Sequence, residues 1–422
     1  MQLKLKGKTV LFGVTGSISA YKACDLARLF VKAEADVHVV MTPAAERFVS
    51  ALTFEALTRN PVLTESSESW SSELNHIEIG KKCDVFVIAP ATANTINKLS
   101  KGIADNIFTQ TALAYSRAIV VAPAANTNML SNHYTTGSIK MLKLNDYAIV
   151  EPQEKLLACG DTGSGALAEP LEIFYAAAKA LLKEPFWEER RVVVTGGGTR
   201  EKIDEVRYLS NFSSGKMAQS VALSLYLKGA DVCYITSTGN EGLPKDIYTI
   251  DVESTEELLD YTQDALRVAK KGKMSRASLN TPDAIELIQK RPFLFMVAAV
   301  SDYTPKYPQA GKMKKSMLGE AWSLELKQTP DILSSLNKDG VTVVGFKAEM
   351  DSQNGLANAQ ALLEQKEIDA VCYNLLKDAN SFGTADNEII FISKEKTLHL
   401  GKADKLTLAQ KILKEAEGLT DE

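Results

Sequence analysis

The segment TVLFGVTGSISAYKACDLARLFVKA (residues 9–33) joins an apolar run to a glycine-containing turn and then to a helical pattern. The run TVLFGVT is typical of a strand that is buried on both faces of a parallel sheet, and the apolar residues after the turn recur with the period of a helix. Further apolar runs follow, with helical segments between them: DVHVVMT, DVFVIAP and AIVVAPA. This alternation predicts a doubly wound α/β sheet, with any ligand at the carboxyl ends of its strands.

A second series of the same kind begins at RVVVTGGGT (residues 191–199). A helical pattern follows over SSGKMAQSVALSLYLKG, and later runs predict strands: DVCYITS, FLFMVAAV, VTVVGFKAE, DAVCYN and EIIFIS. Between the two series, the charged and proline-containing KEPFWEERR (residues 183–191) is predicted to be a linker. The segment VAKKGKMSRASLNTPD (268–283) has no clear apolar period and is predicted to be a surface excursion. The 422 residues therefore divide into two predicted domains, residues 1–186 and residues 187–422.

The composition is typical of a soluble globular protein, with 45% apolar and 24% charged residues. A net charge of −5 argues against a nucleic-acid scaffold, and no apolar run reaches the roughly 18 residues of a membrane span. The chain enters a strand directly, with no signal-peptide pattern. Its five widely spaced cysteines indicate reduced thiols in a cytoplasmic protein. There is no C-x-x-C or H-E-x-x-H motif for a structural zinc.

The first glycine turn does not match the fingerprint of a dinucleotide-binding fold. That fingerprint is G-x-G-x-x-G with an acidic residue at the end of the second strand. Here the turn is Gly13-x-x-Gly16, and the second strand ends in Met-Thr-Pro (residues 41–43). Thr15, Ser17 and main-chain N–H groups at a helix N-terminus suit a single phosphate. A mononucleotide such as FMN therefore fits this turn better than NAD does.

The second glycine turn is followed by a segment close to a Walker A loop, G-x-x-x-x-G-K-[ST]. Gly215 and Lys216 match the middle of that pattern, but Ser210 and Met217 replace its first glycine and its hydroxyl residue. The segment is thus not a standard phosphate loop, although its main-chain N–H groups can still surround phosphates.

Three polar residues have both a structural and a chemical interpretation. His76, in LNHIEIG, is either a hydrogen-bonded helix residue or an acid–base group. Asn126 follows an apolar run directly and is either a helix cap or a ligand contact. Cys159 lies in the glycine-rich ACGDTGSGALAEP, outside any core pattern, and its thiol is either inert or reactive.

The motifs together resemble those of a known family over nearly the whole chain. The first half is similar to flavin-dependent cysteine decarboxylases of the flavodoxin-like type, and the second half to phosphopantothenate–cysteine ligases. Both halves occur together in the bifunctional bacterial proteins of coenzyme A biosynthesis. In this order and spacing the following stretches are highly specific: GVTGSISAYK, HIEIG, APATANTINKLSKGIADN, PAANTNM, ACGDTGSGALAEP, TGGGTREKIDEVRYLSNFSSGKM, AAVSDY, KMKK and VVGFKAE.

For the first half, the resemblance implies an FMN-dependent decarboxylase. In that family FMN oxidises a cysteine thiol to a thioaldehyde, CO₂ is lost, and the reduced flavin returns both electrons. The resemblance implies that His76 is the catalytic histidine, that Asn126 holds the substrate carboxylate and that Cys159 is an acid on a flap. The expected flap hinges are Gly160, Gly163 and Gly165. The expected FMN contacts are Gly16, Ser17, Thr42, Thr92 and Asn94.

For the second half, the resemblance implies ligation of cysteine to 4′-phosphopantothenate. CTP activates the carboxylate as an acyl-cytidylate, with Mg²⁺ or a similar divalent cation. Lys312 is expected to help form this intermediate, Asn211 to handle it, and Asp302 to bind the cation or the sugar. The expected CTP contacts are Gly196, Gly197, Gly198, Ser213, Ser214, Gly215, Lys216, Ala298, Ala299, Asp302, Lys312, Lys314, Lys315, Phe346 and Lys347.

The sequence departs from the family pattern at four positions. Ala125 replaces a methionine and Leu130 replaces a common aromatic residue near Asn126, which we interpret as repacking. Ala218 stands where a glycine is common, and Ser301 where an alanine is common.

Two other classes of function stay open at this level, and each implies a different chemistry. They are a two-domain NAD(P)-dependent oxidoreductase and a non-catalytic flavin-domain protein that regulates a partner. The resemblance implies a homo-oligomer, with a dimeric ligase half and a trimeric flavin half whose flavin site a neighbouring chain completes. We expect small-molecule substrates and no nucleic-acid or membrane partner.

Overall fold

The chain forms two compact units in this computed structural model. The structure describes residues 3–156, 160, 162–280, 285–314, 319–350, 354–375, 384 and 386–420. The N-terminal unit groups Gln2–Lys183 with Ser275–Glu286, and the C-terminal unit groups Glu184–Met274 with Leu287–Glu422. Part of the predicted surface excursion therefore belongs to the N-terminal unit.

The N-terminal unit contains a six-stranded sheet in the order β3-β2-β1-β4-β5-β6, and all of its strand pairs are parallel. A separate antiparallel pair, β7 and β8, lies outside this sheet. The strands are β1 (Thr9–Val14), β2 (Asp36–Met41), β3 (Val62–Leu63), β4 (Val85–Ala91), β5 (Ala118–Pro123), β6 (Ala148–Ile149), β7 (Gln153–Leu156) and β8 (Thr162–Ala166).

Burial explains why these segments form their elements. Every residue of β4 is buried, as expected for a strand covered by helices on both faces. Ala23, Leu26 and Phe30 form the buried stripe of the first helix. The helices are α1 (Ala20–Lys32), α2 (Pro43–Glu46), α3 (Ala51–Thr58), α4 (Glu78–Lys82), α5 (Ala93–Ser100), α6 (Ile107–Ala114), α7 (Thr127–Ser131), α8 (His133–Leu144) and α9 (Pro170–Leu182).

The C-terminal unit contains an eight-stranded sheet in the order β13-β12-β9-β16-β19-β20-β21-β22. The first six strands of this order are parallel, and β21 and β22 continue it antiparallel. The sheet strands are β9 (Arg191–Gly196), β12 (Asp231–Thr236), β13 (Tyr248–Asp251), β16 (Phe293–Met296), β19 (Thr342–Glu349), β20 (Ala370–Leu375), β21 (Asp386–Ser393) and β22 (Thr397–Asp404).

Among the described residues, the remaining elements of the C-terminal unit are three short strand pairs and five helices. The strand pairs are β10 (Arg200–Lys202) with β11 (Tyr208–Ser210), β14 (Lys273–Met274) with β15 (Leu287–Ile288), and β17 (Tyr303–Pro305) with β18 (Leu326–Gln328). The helices in the described part of this unit are α10 (Lys216–Leu227), α11 (Thr255–Ala269), α12 (Ile332–Ser335), α13 (Gly355–Gln365) and α14 (Lys405–Glu417).

Both sheets reverse their strand order next to the first strand. In the N-terminal sheet this point lies between β1 and β4, and in the C-terminal sheet between β9 and β16. The connections on either side of such a point leave in opposite directions, so a crevice opens beyond the carboxyl ends of the two strands. The prediction of doubly wound parallel sheets is confirmed, with an antiparallel extension in the C-terminal unit.

The segment predicted to be a linker is instead part of the core of the C-terminal unit. Trp187 is fully buried, and its ring centroid lies 5.0 Å from that of Phe293 in β16. Its indole N–H donates to a carboxylate oxygen of Glu417 at 2.7 Å. The Arg190 guanidinium lies 4.1 Å from the centroid of the Phe186 ring. The charged residues and the proline suggested a solvated linker, but the rings of Phe186 and Trp187 pack against Phe293 in β16.

We expect Trp187→Ala to destabilise the C-terminal unit by about 3–5 kcal/mol, since it removes a large buried side chain and leaves a cavity. The measurement is urea unfolding of the full chain, followed by circular dichroism. The control is Tyr248→Ala, at a side chain that is 67% exposed, which we expect to change the free energy of unfolding by less than about 0.5 kcal/mol. Equal effects of the two substitutions would contradict a core role for Trp187.

Candidate active sites

At the switch point of the N-terminal sheet, Thr15 joins the ends of β1 and β4. Its hydroxyl donates to the carbonyl oxygen of Pro90 at 2.7 Å and accepts from the N–H of Thr92 at 3.0 Å. Thr15 is fully buried, so both bonds form away from water, where they are stronger. The loops after the two strands are therefore fixed at the edge where such sheets bind ligands.

The residues predicted to contact FMN lie in the loops and helix starts after β1, β2 and β4. Thr42 caps α2 by accepting from the N–H of Ala45 at 3.2 Å, and Thr92 caps α5 by accepting from the N–H of Thr95 at 3.3 Å. A hydroxyl that accepts in a cap can still donate its own proton. The sheet thus brings the following predicted residues to one edge: Gly16, Ser17, Thr42, Thr92 and Asn94.

Gly16 has a packing reason as well as a predicted ligand role. A Cβ atom at this position would lie 2.4 Å from the Cβ atom of Ala44 in α2. The turn after β1 therefore contacts the turn after β2 too closely for any side chain at Gly16. This close approach limits the conformation of the loop after β1.

The N-terminus of α1 fits a phosphate group. Ser19 precedes this 13-residue helix and makes no side-chain hydrogen bond to its first turn. The N–H groups of Ala20 and Lys22 donate to the carbonyl oxygens of Ser17 and Ser19 at 2.9 and 3.0 Å. A phosphate would therefore meet the N–H of Tyr21 and the positive end of the helix dipole. Such a terminus beside a switch point is a common site for the phosphate of a nucleotide.

His76 lies two residues before the start of α4, and its side chain pairs with that of Glu68. Its Nδ1 lies 2.8 Å from Oε1 of Glu68, and the two side chains are 22% and 28% exposed. The Trp70 ring lies edge-on to the imidazole, with 5.7 Å between centroids. The buried Asn75 accepts from two main-chain N–H groups after His76 at 3.0 Å each. Glu68 therefore holds the imidazole ring directly, and Asn75 fixes the backbone that follows His76.

Asn126 lies between β5 and α7 and caps the helix. Its Oδ1 accepts from the N–H of Asn128 at 2.9 Å; the donor group of an asparagine side chain is its amide nitrogen. Ala125 and Leu130 both pack against the apolar core of the unit. The cap is compatible with the predicted carboxylate contact, because a cap uses the amide oxygen and a carboxylate needs the nitrogen.

The β7–β8 pair packs closely against the Asn126 loop. The N–H of Ala125 donates to the carbonyl oxygen of Gly165 at 3.1 Å. A Cβ atom on Gly165 would lie 2.1 Å from the Ala125 carbonyl oxygen, and one on Gly163 would lie 2.1 Å from Oγ1 of Thr127. Close packing, against a side chain at Gly163 and against main chain at Gly165, gives these two glycines of β8 a structural reason besides the expected hinge.

The remaining flap residues differ in what the structure says of them. Gly160 has a φ of +89°, and a Cβ atom added there would have no other atom within 4 Å. The positive φ is a backbone conformation that favours glycine. Cys159 lies outside the described residues, and its predicted role stays a prediction.

In the C-terminal unit, two glycine turns approach each other at the end of β9. Gly197 and Gly215 have φ angles of +83° and +68°, and a Cβ atom on Gly215 would lie 3.7 Å from the nitrogen of Gly197. No side chain caps α10 at Gly215. The predicted CTP contacts in these turns are Gly196, Gly197, Gly198, Ser213, Ser214, Gly215 and Lys216.

Asn211 lies beside Gly198, where a Cβ atom would be 2.6 Å from the Asn211 carbonyl oxygen, and its side chain reaches the segment after β16. Nδ2 of Asn211 donates to the carbonyl oxygen of Val300 at 2.8 Å, and the N–H of Ala299 donates to the carbonyl oxygen of Gly197 at 2.8 Å. The Thr195 hydroxyl accepts from the two main-chain N–H groups after β16, at 3.2 and 3.3 Å. This explains why β16 ends at Met296, four residues before the end of the predicted strand.

A cavity of about 620 Å³ opens beside the carboxyl ends of β16 and β19, a size that suits a small ligand. Four of the predicted CTP contacts line it: Ala298, Asp302, Phe346 and Lys347. The segment Gln328–Leu333 also lines it, although no sequence motif pointed to this segment. The segment contains Thr-Pro-Asp, and Asp331 caps α12 by accepting from the N–H of Ser334 at 3.0 Å. Capping residues are too common in sequences to indicate a ligand site.

Lys312 lies in a loop that is held through its neighbour Met313. The Met313 N–H donates to Oδ2 of Asp204 at 3.2 Å, and its carbonyl oxygen accepts from Nη2 of Arg207 at 3.2 Å. The predicted lysines Lys312 and Lys314 therefore flank a fixed residue. Lys315, which follows them, lies outside the described residues.

Asp204 is ionised over a wide pH range because of its partners. Nε of Arg207 lies 3.0 Å from its carboxylate, and the N–H groups of Val206 and Arg207 donate to it at 2.8 Å each. The Arg207 guanidinium is the largest cause that holds the pKa of Asp204 well below its usual range, against the desolvation of the carboxyl group. Asp204 and Arg207 together define the clamp on the lysine loop.

A resident metal site is not evident from side chains alone. Among the described residues, no group of three or more His, Cys, Asp or Glu side chains could hold a metal ion. Asp302 lines the cavity, so a cation there would need oxygen atoms of a bound phosphate chain as further ligands. Within the same residues, no helix is both long and apolar enough to cross a membrane.

We expect Gly165→Ala to displace β8 from the Asn126 loop, because its methyl group would overlap the Ala125 carbonyl oxygen. Limited proteolysis should then cleave the β7–β8 segment at least about tenfold faster, which corresponds to roughly 1.4 kcal/mol of local destabilisation. The control is Gly137→Ala in α8, where nothing lies within 4 Å of the new methyl group. Unchanged cleavage of Gly165→Ala would contradict the packing explanation.

Asp204 should also make stability depend on pH. Because its folded pKa is depressed, its contribution is complete above the unfolded pKa of about 4 and is lost as the pH falls further. Between about pH 4 and pH 2, unfolding of the wild-type protein should take up about one proton more than unfolding of Asp204→Asn. The measurement is the slope of the free energy of unfolding against pH for both proteins, and equal slopes would contradict the clamp.

Two family models match the chain, one in each unit. The Flavoprotein model matches residues 2–181. The model described as the DNA/pantothenate metabolism flavoprotein C-terminal domain matches residues 187–278 and 273–419.

Relatives match over both units together. The coenzyme A biosynthesis bifunctional protein CoaBC of Bacillus subtilis is 36% identical over 423 residues, which cover 99% of this chain and 98% of the relative. The protein of the same name from Haemophilus influenzae is 35% identical over 418 residues, 98% of each chain. That of Mycolicibacterium smegmatis is 34% identical over 406 residues, 92% of each chain. The chain therefore belongs to the CoaBC family of bifunctional enzymes of coenzyme A biosynthesis.

Proposed function

We propose that each unit catalyses one of two consecutive reactions of coenzyme A biosynthesis. The C-terminal unit, residues 187–422, joins cysteine to 4′-phosphopantothenate at the expense of CTP. The N-terminal unit, residues 1–186, binds FMN and decarboxylates the product, 4′-phosphopantothenoylcysteine, to 4′-phosphopantetheine and CO₂.

One observation carries this proposal. Each sheet has its own switch point; the loops after β1 and β4 include the predicted FMN contacts Ser17 and Thr92, and those after β9 and β16 include the predicted CTP contacts Gly197 and Asp302. A single-activity enzyme with a second, purely structural α/β unit would not need polar and glycine-rich loops at both places.

The N-terminal switch point has groups that suit FMN. The uncapped start of α1 offers a main-chain donor for its phosphate, and the caps Thr42 and Thr92 offer hydroxyl groups beside it. When bound, FMN supplies the two-electron acceptor and donor that the reaction of a thiol substrate requires.

The side chains around that site have separate tasks in the proposed decarboxylation. The amide nitrogen of Asn126 donates to the substrate carboxylate and orients it. The ring of His76, held by Glu68 at 2.8 Å, takes the thiol proton. The β7–β8 pair, packed against the Asn126 loop, excludes water from the substrate. Cys159, on the same flap, returns a proton to the product.

In the proposed ligation, the 4′-phosphopantothenate carboxylate attacks the α-phosphorus of CTP. The P–O bond to the leaving group breaks, pyrophosphate departs and an acyl-cytidylate remains. The cysteine amine then attacks the acyl carbon, which releases CMP and forms the amide. The two glycine turns hold the phosphates through main-chain N–H groups, and Lys312 stabilises the negative charge of the first transition state. Asn211 holds the intermediate.

A divalent cation, most simply Mg²⁺, completes the proposed ligase site. Triphosphate oxygens and Asp302 would be its ligands, since Mg²⁺ is commonly bound by one or two carboxylates together with substrate phosphates. The cation would neutralise charge on the leaving pyrophosphate. The base of the nucleotide would occupy the cavity lined by Phe346 and Lys347.

We also propose a homo-oligomer, with dimeric contacts of the ligase unit and trimeric contacts of the flavin unit. Contiguous exposed apolar patches mark protein–protein contacts, and several large apolar side chains that follow β1, β2 and β5 are exposed. They are Ile18, Tyr21, Phe48 and Met129.

Separate substitutions should remove one activity each. His76→Asn should lower CO₂ release from 4′-phosphopantothenoylcysteine by about 10²–10⁴-fold, the usual contribution of a positioned acid or base. It should leave CTP-dependent pyrophosphate release unchanged. Lys312→Gln should do the reverse, with a loss of about 10²–10³-fold, as for removal of one group that stabilises a transition-state charge. Both products are measured on the purified full chain after addition of FMN.

Two matched substitutions control for general damage. His38→Asn replaces another histidine that contacts a carboxylate, Asp36 at 3.2 Å, and Lys306→Gln replaces an exposed lysine that pairs with Glu325 at 3.4 Å. Both should retain both activities. The two-site assignment fails if either His76→Asn or Lys312→Gln abolishes both reactions in a folded protein, or if the wild-type chain neither binds FMN nor consumes CTP.

A further inference from the structure

Glu68 and Trp70 lie in a short loop, residues 64–75, that is closed by its own hydrogen bonds. The N–H of Ser69 donates to the carbonyl oxygen of Leu74 at 2.8 Å. The hydroxyl of Ser67 donates to a carbonyl oxygen of β3 at 2.7 Å. The loop therefore presents the Glu68 carboxylate to His76 from a fixed backbone.

The contact between the two side chains determines which ring nitrogen carries a proton. An ionised carboxylate only accepts hydrogen bonds, so Nδ1 of His76 must donate in the 2.8 Å contact. In a neutral imidazole one nitrogen carries a proton and the other a lone pair. With the proton fixed on Nδ1, the lone pair of His76 is on Nε2.

We propose that Glu68 is the positioning residue of the decarboxylase site. It fixes His76 in the tautomer with the proton on Nδ1, so that Nε2 is the atom that accepts the thiol proton. This inference rests on the proposed function of the N-terminal unit and assigns a task to a residue that the sequence motifs leave unassigned. Glu68 acts through His76 and does not touch the substrate.

The neighbouring charged groups leave this task to Glu68. Glu73, in the same loop, pairs with Lys82 at 3.0 Å, and Glu78, in α4, pairs with Lys81 at 2.6 Å. Helix α6, which contacts α4, has no charged side chain. Among the described residues, the acidic group that contacts the His76 ring is Glu68.

A carboxylate partner also stabilises the ring after it has accepted the proton. The imidazolium then lies directly beside a negative charge, in a pair that is more than two-thirds buried, where water screens the attraction less than at the surface. The Trp70 ring contacts the imidazole edge-on, with 5.7 Å between centroids. Position, tautomer and charge are thus set by residues 68–76.

The tautomer can be measured without any catalytic assay. The chain has four histidines, so ¹⁵N-histidine labelling gives a small set of imidazole signals, and His76→Asn identifies the signal of His76. At a pH well above about 6.5, where histidines are usually neutral, the wild-type signal should show a protonated Nδ1 and an unprotonated Nε2. Glu68→Ala should move at least half of the population to the other tautomer.

Kinetics then test whether the tautomer matters. We expect Glu68→Ala to lower kcat for CO₂ release by about 10- to 100-fold, part of the roughly 10²–10⁴-fold effect of a positioned acid or base. KM for 4′-phosphopantothenoylcysteine should change less than about twofold, because Glu68 does not contact the substrate. Glu68→Asp, which keeps the carboxylate, should recover part of the loss. CTP-dependent pyrophosphate release should stay unchanged in every variant.

Glu73→Gln is the matched control, since it alters an exposed acidic residue of the same loop whose carboxylate pairs with Lys82 and not with the His76 ring. It should leave both the tautomer and kcat unchanged. If Glu68→Ala does not fold, Glu68→Gln replaces it, because its amide can donate as well as accept and no longer enforces one tautomer.

The outcomes separate this inference from the proposed function. A wild-type ring with its proton on Nε2, an unchanged tautomer in Glu68→Ala, or equal losses in Glu73→Gln would each overturn the positioning role. A normal kcat in Glu68→Ala despite a changed tautomer would overturn it as well. If the wild-type chain releases no CO₂ but the tautomer follows Glu68, the decarboxylase proposal fails and the control of the ring by Glu68 is supported.

Discussion

A buried threonine hydroxyl joins the two sides of the switch point in each sheet. Thr15 bonds to Pro90 and Thr92 in the N-terminal unit, and Thr195 accepts two N–H groups after β16 in the C-terminal unit. Neighbouring strands must separate at a switch point to leave a crevice, and their main-chain groups then lose ladder partners. A side-chain oxygen replaces those partners, so the loops that carry the candidate residues can diverge and still be rigid.

Much of the fold was predictable because parallel strands leave a simple record in the sequence. A strand covered on both faces needs an apolar residue at every position, as in the fully buried β4. Chain direction then places the residues after each run at one edge of their sheet, which is how Ser17, Thr42 and Thr92 could be grouped from sequence alone. The glycine turns needed no more than local information, because positive φ angles favour glycine.

What the sequence did not predict depends on contacts between distant segments. The clamp on the Lys312 loop joins residues 109 positions apart, and no periodicity or motif in either segment refers to the other. The glycines of β8 were predicted to be hinges because composition indicates freedom, and nothing in the sequence indicated that a carbonyl oxygen lies against Gly165 and a threonine side chain against Gly163. Glu68 was missed for a similar cause: an acidic residue among serines is typical of a solvated loop.

The hydrogen bond between Trp187 and Glu417 joins two segments of the C-terminal unit that are far apart in the sequence. These residues are 230 positions apart, and the bond brings the first and last described segments of the unit together. A unit with adjoining ends behaves as a cassette, since it can be spliced into or after another polypeptide without stretching its own backbone. Such geometry makes gene fusion an easy route to a protein that carries two successive catalysts, and it makes circular permutation of this half a practical engineering step.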